Sequence, residues 1–212
     1  HLRDVIPAED LVCVVRSAGS TEDFFINSLD SKTNWEGAFG GINTIIHLAG
    51  LAHDKTFTDN EFAEVNTKGT LHLASEAASA GVKLFIFIST IGVNGSFTTD
   101  IPFTVAMEAS PENAYAQSKL DAELGLRKIE QVTGLDVVII RPPLVYGPNA
   151  PGNFGSLVQL IRKLPFLPFG LLNNKRSFVS VNNLVDFIRC CVSHPRSQGE
   201  TFIVSDGDPV ST

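Results

Sequence analysis

Lys83-Leu-Phe-Ile-Phe-Ile-Ser89 is a nearly unbroken apolar run that ends on a hydroxyl. A run of this length and composition predicts a strand buried on both faces, the kind found in parallel sheets covered by helices. Upstream, Leu11–Arg16, Phe24-Phe-Ile26 and Thr44-Ile-Ile-His-Leu-Ala49 are further strand candidates. Residues 59–80 carry Phe62, Val65, Gly69, Leu73 and Ala77 near every fourth position, which predicts a helix stopped by Gly81. Downstream, Asn113 to Thr133 predicts a second long helix ending at Gly134, and Asp136–Ile140 the next strand, closed by Arg141-Pro-Pro143. This alternation predicts an α/β fold with a doubly wound parallel sheet. Functional residues should then lie just past the carboxyl ends of strands, at Ala49-Gly50, at Ser89-Thr90 and in the loop after Pro142.

After residue 150 the text is more broken. It predicts a helix over 154–163, a Phe/Pro/Leu-rich loop over 164–172, a strand at Ser177–Val181, a helix at Leu184–Cys191 and a strand at Thr201–Val204. The expected organisation is a sheet domain over 1–142 and a smaller lobe over 143–212 whose segments return to the sheet. No internal repeat or flexible linker interrupts it.

Composition narrows the function classes. The 212 residues carry a net charge of −7 with a pI near 5.2, and no basic block, which disfavours a nucleic-acid groove. A local arginine pocket can still receive an anionic substrate. The three cysteines, Cys13, Cys190 and Cys191, are an odd count with an adjacent pair that cannot easily bridge, as in a reducing cytoplasm. Cys13 reads as a buried filler. No stretch reaches the ~18 continuous apolar residues of a membrane span. No basic region followed by an apolar segment opens the chain, and its first residue is His1.

Tyr115 and Lys119, in Ala114-Tyr-Ala-Gln-Ser-Lys119, stand one turn apart on the predicted helix, where the lysine charge can act on the phenol. Lowering a tyrosine pKa from about 10 by about three units requires roughly 4 kcal/mol of differential stabilisation of the phenolate. Such a pair suits proton removal from a hydroxyl, although Tyr-x-x-x-Lys alone also describes a surface pair. Ser89 and Thr90 either hold a substrate oxygen beside that tyrosine or satisfy backbone groups at a strand end. Asn66, inside a predicted helix, needs a partner there: a neighbouring strand, a water, or a buried structural contact. Arg176 suits a diphosphate but equally a solvated pair with Lys175. His47 reads as a core histidine and Asp186 as helix surface, while His53 in its loop has no second ligand at metal spacing. No metal is expected.

Taken together, Ile46-His-Leu-Ala49, Val65-Asn-Thr-Lys-Gly-Thr70, Phe87-Ile-Ser-Thr90, Tyr115-Ala-Gln-Ser-Lys119, Arg141-Pro-Pro-Leu-Val-Tyr-Gly-Pro148, Arg176-Ser-Phe-Val179 and Asn183-Leu-Val-Asp186 follow one another in a familiar order. The chain resembles the extended short-chain dehydrogenase/reductase family in its nucleotide-sugar epimerase/dehydratase branch. Ser89-Thr-Ile-Gly-Val-Asn-Gly95 is most similar to bacterial 4-epimerases of N-acetylhexosamines linked to UDP or to a lipid diphosphate. The resemblance implies a Rossmann-type, NAD(P)-binding sheet with an interleaved substrate lobe. It implies Tyr115 as base or acid, with Lys119 and a bound nicotinamide ring lowering its pKa, and Thr90 as the catalytic hydroxyl. Arg16, Ser28, Leu29, Leu48, Ala49, Gly50, Asn66, Ser89 and Pro142 would join Tyr115 and Lys119 around the cofactor. Thr90, Asn94, Asn153 and Arg176 would contact the substrate. The implied reaction is 4-epimerisation of a UDP-hexose or UDP-N-acetylhexosamine through a transient 4-keto sugar, with NAD recycled internally. A homodimer through helices 59–80 and 113–133 is also implied.

Three departures stand out. Asn94 replaces the family's usual tyrosine, Ser28 an aspartate near the adenine, and Arg16 the acid that favours NAD over NADP. The family's opening strand and Gly-x-x-Gly-x-x-Gly turn are expected before His1, since Leu11–Arg16 reads as the second strand. Ile91-Gly92 after Thr90 lacks the acidic pair of the family's dehydratases. A keto reductase with the same Tyr–Lys pair, and a non-catalytic dinucleotide-binding protein, are the remaining alternatives.

Overall fold

The computed structural model describes residues 1–16, 23–52, 56–99, 101–148, 175–207 and 209–211. Its centre is four parallel strands in the order β3 (Thr44–His47), β4 (Leu84–Ile88), β5 (Asp136–Arg141) and β8 (Thr201–Ile203). Side chains alternate across a strand, so each strand feeds two cores. Phe85, Phe87, Val137 and Ile139 point to one side and pack with Leu73, Ala77, Ala122 and Leu126 from helices. Leu84, Ile86, Val138 and Ile140 point to the other and meet Val179, Leu184 and Ile188. Burial on both faces is why these strands read as continuous apolar runs.

The first face is covered by two helical arms. One starts at Thr58, whose side chain accepts from the Glu61 amide while the Glu61 carboxylate accepts from the Thr58 amide, a reciprocal cap. It runs through α2 (Asp59–Phe62), a π-helical segment (Ala63–Gly69) and α3 (Thr70–Ser79). The other is α4 (Ala114–Thr133), capped by the Asn113 side chain on the Ala116 amide and closed by Gly134 at φ +74°. The arms approach closely: a Cβ on Gly125 would lie 2.5 Å from the Leu71 side chain.

Short α1 (Leu2–Val5) precedes two parallel two-residue strands, β1 (Val14–Val15) and β2 (Phe24–Phe25), which form a separate sheet. A third sheet pairs β6 (Leu144–Tyr146) with β7 (Phe178–Ser180), and α5 (Val181–Ser193) follows. The turn-rich path after Arg141 therefore contains a strand that its prolines conceal. Asp206 locks this part, accepting from Tyr146 Oη, the Ser180 amide and Asn183 Nδ2, each at 2.8 Å. The helix expected over 154–163 and the loop over 164–172 lie outside the described residues, as does His53. Cys13 is half-buried, not a core filler: Arg3 Nε donates to its sulfur at 3.0 Å.

Candidate active site

The carboxyl ends of β3, β4 and β5 open onto one place. Thr90 leaves β4 with its Oγ1 accepting from the Gly92 amide at 3.1 Å, which caps the short turn Ile91–Val93. That turn is tied to β5 by the Ile91 amide donating to the Pro142 carbonyl at 2.9 Å. Tyr115, in the first turn of α4, is hydrogen-bonded to Thr90 and packed edge-on against Phe62, centroids 6.1 Å apart. Burial raises its pKa, and the bond to Thr90 only partly opposes that.

Lys119 lies one turn further on and is 4 % exposed. Its Nζ donates to the Ile88 carbonyl at 2.9 Å and stands 4.5 Å over the Phe87 ring. Burial lowers its pKa to about 8, with the Glu123 carboxylate working in the opposite direction. In the protein on its own the lysine charge is not among the causes that set the Tyr115 pKa. The ammonium is aimed at the end of β4, and desolvation sets the direction for Tyr115.

The loop after β3 comes into the same space. A Cβ on Gly50 would lie 2.9 Å from Asn66 Oδ1 and 3.5 Å from Lys119 Nζ, so the position requires glycine. Asn66, buried in the π-helical segment, acts on Leu51 as a strand neighbour would. Its Oδ1 accepts from the Leu51 amide at 2.7 Å, and its Nδ2 donates to the Leu51 carbonyl and to Ser118 Oγ, both at 3.0 Å. π-turns recur at functional sites, and here one carries the side chain that shapes the loop. Next to it a cavity of about 290 Å³ is lined by Arg16, Leu29, Leu48, Ala49 and Gly50. Five residues expected around a dinucleotide thus share one wall.

Others stand elsewhere. Ser28 lines a separate depression of about 360 Å³ and donates to Asp30 Oδ2 at 2.5 Å, so an aspartate sits two residues beyond the place where one is missing. Asn94 is buried and internally engaged, its Oδ1 accepting from Arg141 Nη1 at 2.9 Å and its Nδ2 donating to the Thr104 carbonyl at 3.0 Å. It is an internal strut in this structure. Arg176 is exposed in the β6–β7 part, its backbone paired both ways with Val210 at 2.9 Å. Asn153 lies outside the described residues. His47 is a core histidine, its Nε2 2.9 Å from Thr70 Oγ1.

Glu123 and Ser118 escaped the sequence reading. Glu123 is nearly inaccessible and takes Arg141 in a two-pronged pair, from Nε at 3.0 Å and from Nη2 at 2.5 Å, plus Ser89 Oγ at 2.5 Å. The signal was available: Arg141 ends a buried apolar strand, and a charge there requires a buried partner.

A half-buried tyrosine–threonine pair beside a buried lysine, a glycine loop and a cavity at the carboxyl edge of a parallel sheet define a dinucleotide-type catalytic architecture. The chain belongs to the NAD dependent epimerase/dehydratase family, whose match spans residues 4–205. It is 42 % identical over 207 residues to a UDP-glucose 4-epimerase of Vibrio cholerae, covering 93 % of this chain and 63 % of that protein. It is 30 % identical over 154 residues to the N-acetyl-alpha-D-glucosaminyl-diphospho-ditrans,octacis-undecaprenol 4-epimerase of Escherichia coli O157:H7, covering 72 % of this chain and 46 % of that one. The fold matches the UDP-glucose 4-epimerase of Thermotoga maritima solved with UDP-glucose, at TM-score 0.77 and 23 % identity, over 94 % of this chain and 70 % of the other. The chain spans less than two thirds of the length of these two curated relatives. Among the described residues no helix is long and apolar enough to cross a membrane, and no group of three or more His, Cys, Asp or Glu is placed to hold a metal ion.

Proposed function

We propose that this protein is an NAD-dependent 4-epimerase of a nucleotide sugar, a UDP-hexose or UDP-N-acetylhexosamine, with a lipid-diphosphate-linked sugar as the variant of the same substrate chemistry. The observation that carries the reading is the meeting of Thr90, Tyr115 and Lys119 at the end of β4 beside Gly50. The 42 % identity to a 4-epimerase supports it. The residues present suit a dinucleotide. Gly50 leaves open the space that a Cβ would fill against Asn66 and Lys119, and Arg16, Ala49 and Leu48 line the adjoining cavity.

A nicotinamide dinucleotide bound there supplies a hydride acceptor and donor at the sugar carbon. Tyr115 takes the proton from the C4 hydroxyl and returns it after the keto sugar has turned over. Thr90 hydrogen-bonds the same oxygen and holds it in line with the phenol. Lys119, held at the end of β4, would grip the ribose of a bound dinucleotide and add its positive charge to the site where Tyr115 works. Ile91 and Gly92 follow Thr90 and carry no exchangeable side-chain proton, which favours epimerisation over loss of water. Three free cysteines suit a cytoplasmic setting. A homodimer through the outer faces of α2–α3 and α4 belongs to the same reading, with exposed Leu124 and Val132 available on α4.

The test uses the full-length protein with UDP-glucose, UDP-N-acetylglucosamine and their 4-epimers. The expected result is a mixture of both epimers with tightly held NAD and no net NADH formed. Stoichiometric consumption of NADPH would replace this reading with a reductase. Tyr115→Phe should lower kcat by about 10²–10⁴-fold with an unchanged melting temperature. Full activity in that variant would remove Tyr115 from its role.

A further inference from the structure

Glu123 has no part in the chemistry above, yet its carboxylate ties α4 to the ends of both β4 and β5, beside the Lys119 bond to the Ile88 carbonyl. One oxygen receives Ser89 Oγ at 2.5 Å and Arg141 Nε at 3.0 Å, the other Arg141 Nη2 at 2.5 Å. Ser89 adjoins Thr90, and Arg141 adjoins Pro142, whose carbonyl fixes the turn after Thr90. Arg141 Nη1 carries the chain on to Asn94 and the Thr104 carbonyl. Glu123 also stands one helical turn beyond Lys119, on the same buried face of α4. The carboxylate is thus held by two strand ends, one helical turn from the lysine that faces them.

We infer that Glu123 is a positioning residue of this site: it fixes the ends of β4 and β5 against α4, one helical turn from Lys119, and so sets the surroundings in which that lysine works. The inference rests on the proton-transfer reading of Tyr115 and Lys119.

The charges around Lys119 support it. Its own helix offers Glu123 and Tyr115, while β5 offers Arg141, already committed to Glu123. From β3 comes His47, which burial and then the lysine charge hold neutral, with a pKa of about 3. The π-helical segment presents the uncharged Asn66, and β4 presents the Ile88 carbonyl and the Phe87 ring. Among the described residues Glu123 is therefore the anion that opposes desolvation of the ammonium, and the Lys119 pKa stands at about 8 with its help. Above that midpoint each further pH unit removes about tenfold of the charged form. Losing the anion brings that loss down toward neutral pH.

The experiment follows Lys119 Nζ by ¹⁵N NMR in lysine-labelled full-length holoenzyme, assigned with Lys119→Arg, alongside the pH profile of kcat/KM. Wild type, Glu123→Gln and Glu123→Asp are compared in the same state of ligation. Glu123→Gln should move the lysine midpoint down by about one pH unit or more, and the alkaline limb of kcat/KM should move with it. Glu123→Asp, which keeps the charge, should restore most of the midpoint. A folded Glu123→Gln protein with an unmoved midpoint overturns the inference, and so does a uniform loss of rate with an unmoved limb. If Glu123→Gln does not fold, Glu123→Gln/Arg141→Gln removes both charges and carries the same measurement, because Arg141 is not among the causes of the Lys119 shift. Full activity in Tyr115→Phe with a midpoint that still moves would sink the proton-transfer reading and leave Glu123's hold on Lys119 standing.

Discussion

The two walls of the cleft are built differently. On the β4–β5–α4 side, Phe85, Phe87, Val137, Val138 and Ile140 are completely buried, and the polar groups among them are paired through Glu123 and Arg141. On the β1–β2 side the strands hold two residues each, and Val14, Phe25 and Leu48 are 49, 54 and 55 % exposed. The ties there run from the exposed Arg3 to the Asp23 carboxylate, 8 % exposed, and to the half-buried Cys13, and the buried Trp35 indole N–H has no hydrogen-bond partner among the described residues. The first wall can hold reacting groups in one geometry by its own packing. The second presents apolar and donor surface that a bound molecule would cover.

If that contrast holds, ion pairs on the two walls should differ most. Arg141→Gln leaves the Glu123 carboxylate buried with one fewer cationic partner, and should cost about 3–5 kcal/mol in urea unfolding. Arg3 is 58 % exposed, so Arg3→Ala loses a pair screened from one side and should cost only about 0–1 kcal/mol. Comparable losses would break the distinction. His47 lies between the walls, and its pKa of about 3 is set by burial first and by the Lys119 charge second. The unfolded chain takes up that proton near pH 6.5 and the native state only near pH 3. Stability from the neutral imidazole is therefore complete above about pH 6.5 and drains away as pH falls toward 3, by up to about 1.4 kcal/mol per pH unit. His47→Gln should flatten that dependence between pH 7.5 and 5, and an unchanged slope would place the acid sensitivity elsewhere.

Gly50→Ala addresses the seam itself. The added Cβ would meet Asn66 Oδ1 at 2.9 Å and disturb the grip of Asn66 on Leu51. We expect a cost of about 1–3 kcal/mol in stability, with a roughly tenfold weaker dinucleotide, equivalent to about 1.4 kcal/mol. Intact dinucleotide affinity, measured by calorimetry, would mean that the cofactor does not approach this backbone.

How much of this could be read from the amino acids follows the same division. The β4 and β5 runs, both long helices and the Thr90–Tyr115–Lys119 meeting were legible because double-sided burial and helical spacing write themselves into residue type. Gly81 and Gly134 end their helices with positive φ, as a glycine stop predicts. β6 was illegible, since Pro142, Pro143 and Pro148 frame a three-residue strand that only its partner β7 reveals. The role of Asn94 was illegible for a related reason: an asparagine beside an active-site turn does not say whether its amide faces substrate or Arg141. Lys119 misled more subtly. Its i,i+4 spacing to Tyr115 is real, yet its ammonium is bonded to the backbone carbonyl of Ile88, a partner no side-chain spacing announces.

The smallest effect expected concerns the exposed wall alone. Arg16 closes β1 and lines the 290 Å³ cavity, with its side chain in solvent. Its position at a strand end suits a guanidinium meeting a ribose phosphate, the group that distinguishes NADP from NAD. Arg16→Ala should leave stability within about 0.5 kcal/mol, because no buried contact is lost. It should leave NAD affinity nearly unchanged and weaken NADP about tenfold, which is 1.4 kcal/mol and less than a buried charge-assisted bond contributes. Fluorescence titration of both dinucleotides against the two proteins separates the outcomes. Equal weakening of both would put Arg16 on the diphosphate they share, making the exposed wall a general anchor; no weakening of either would leave it a solvated end of β1.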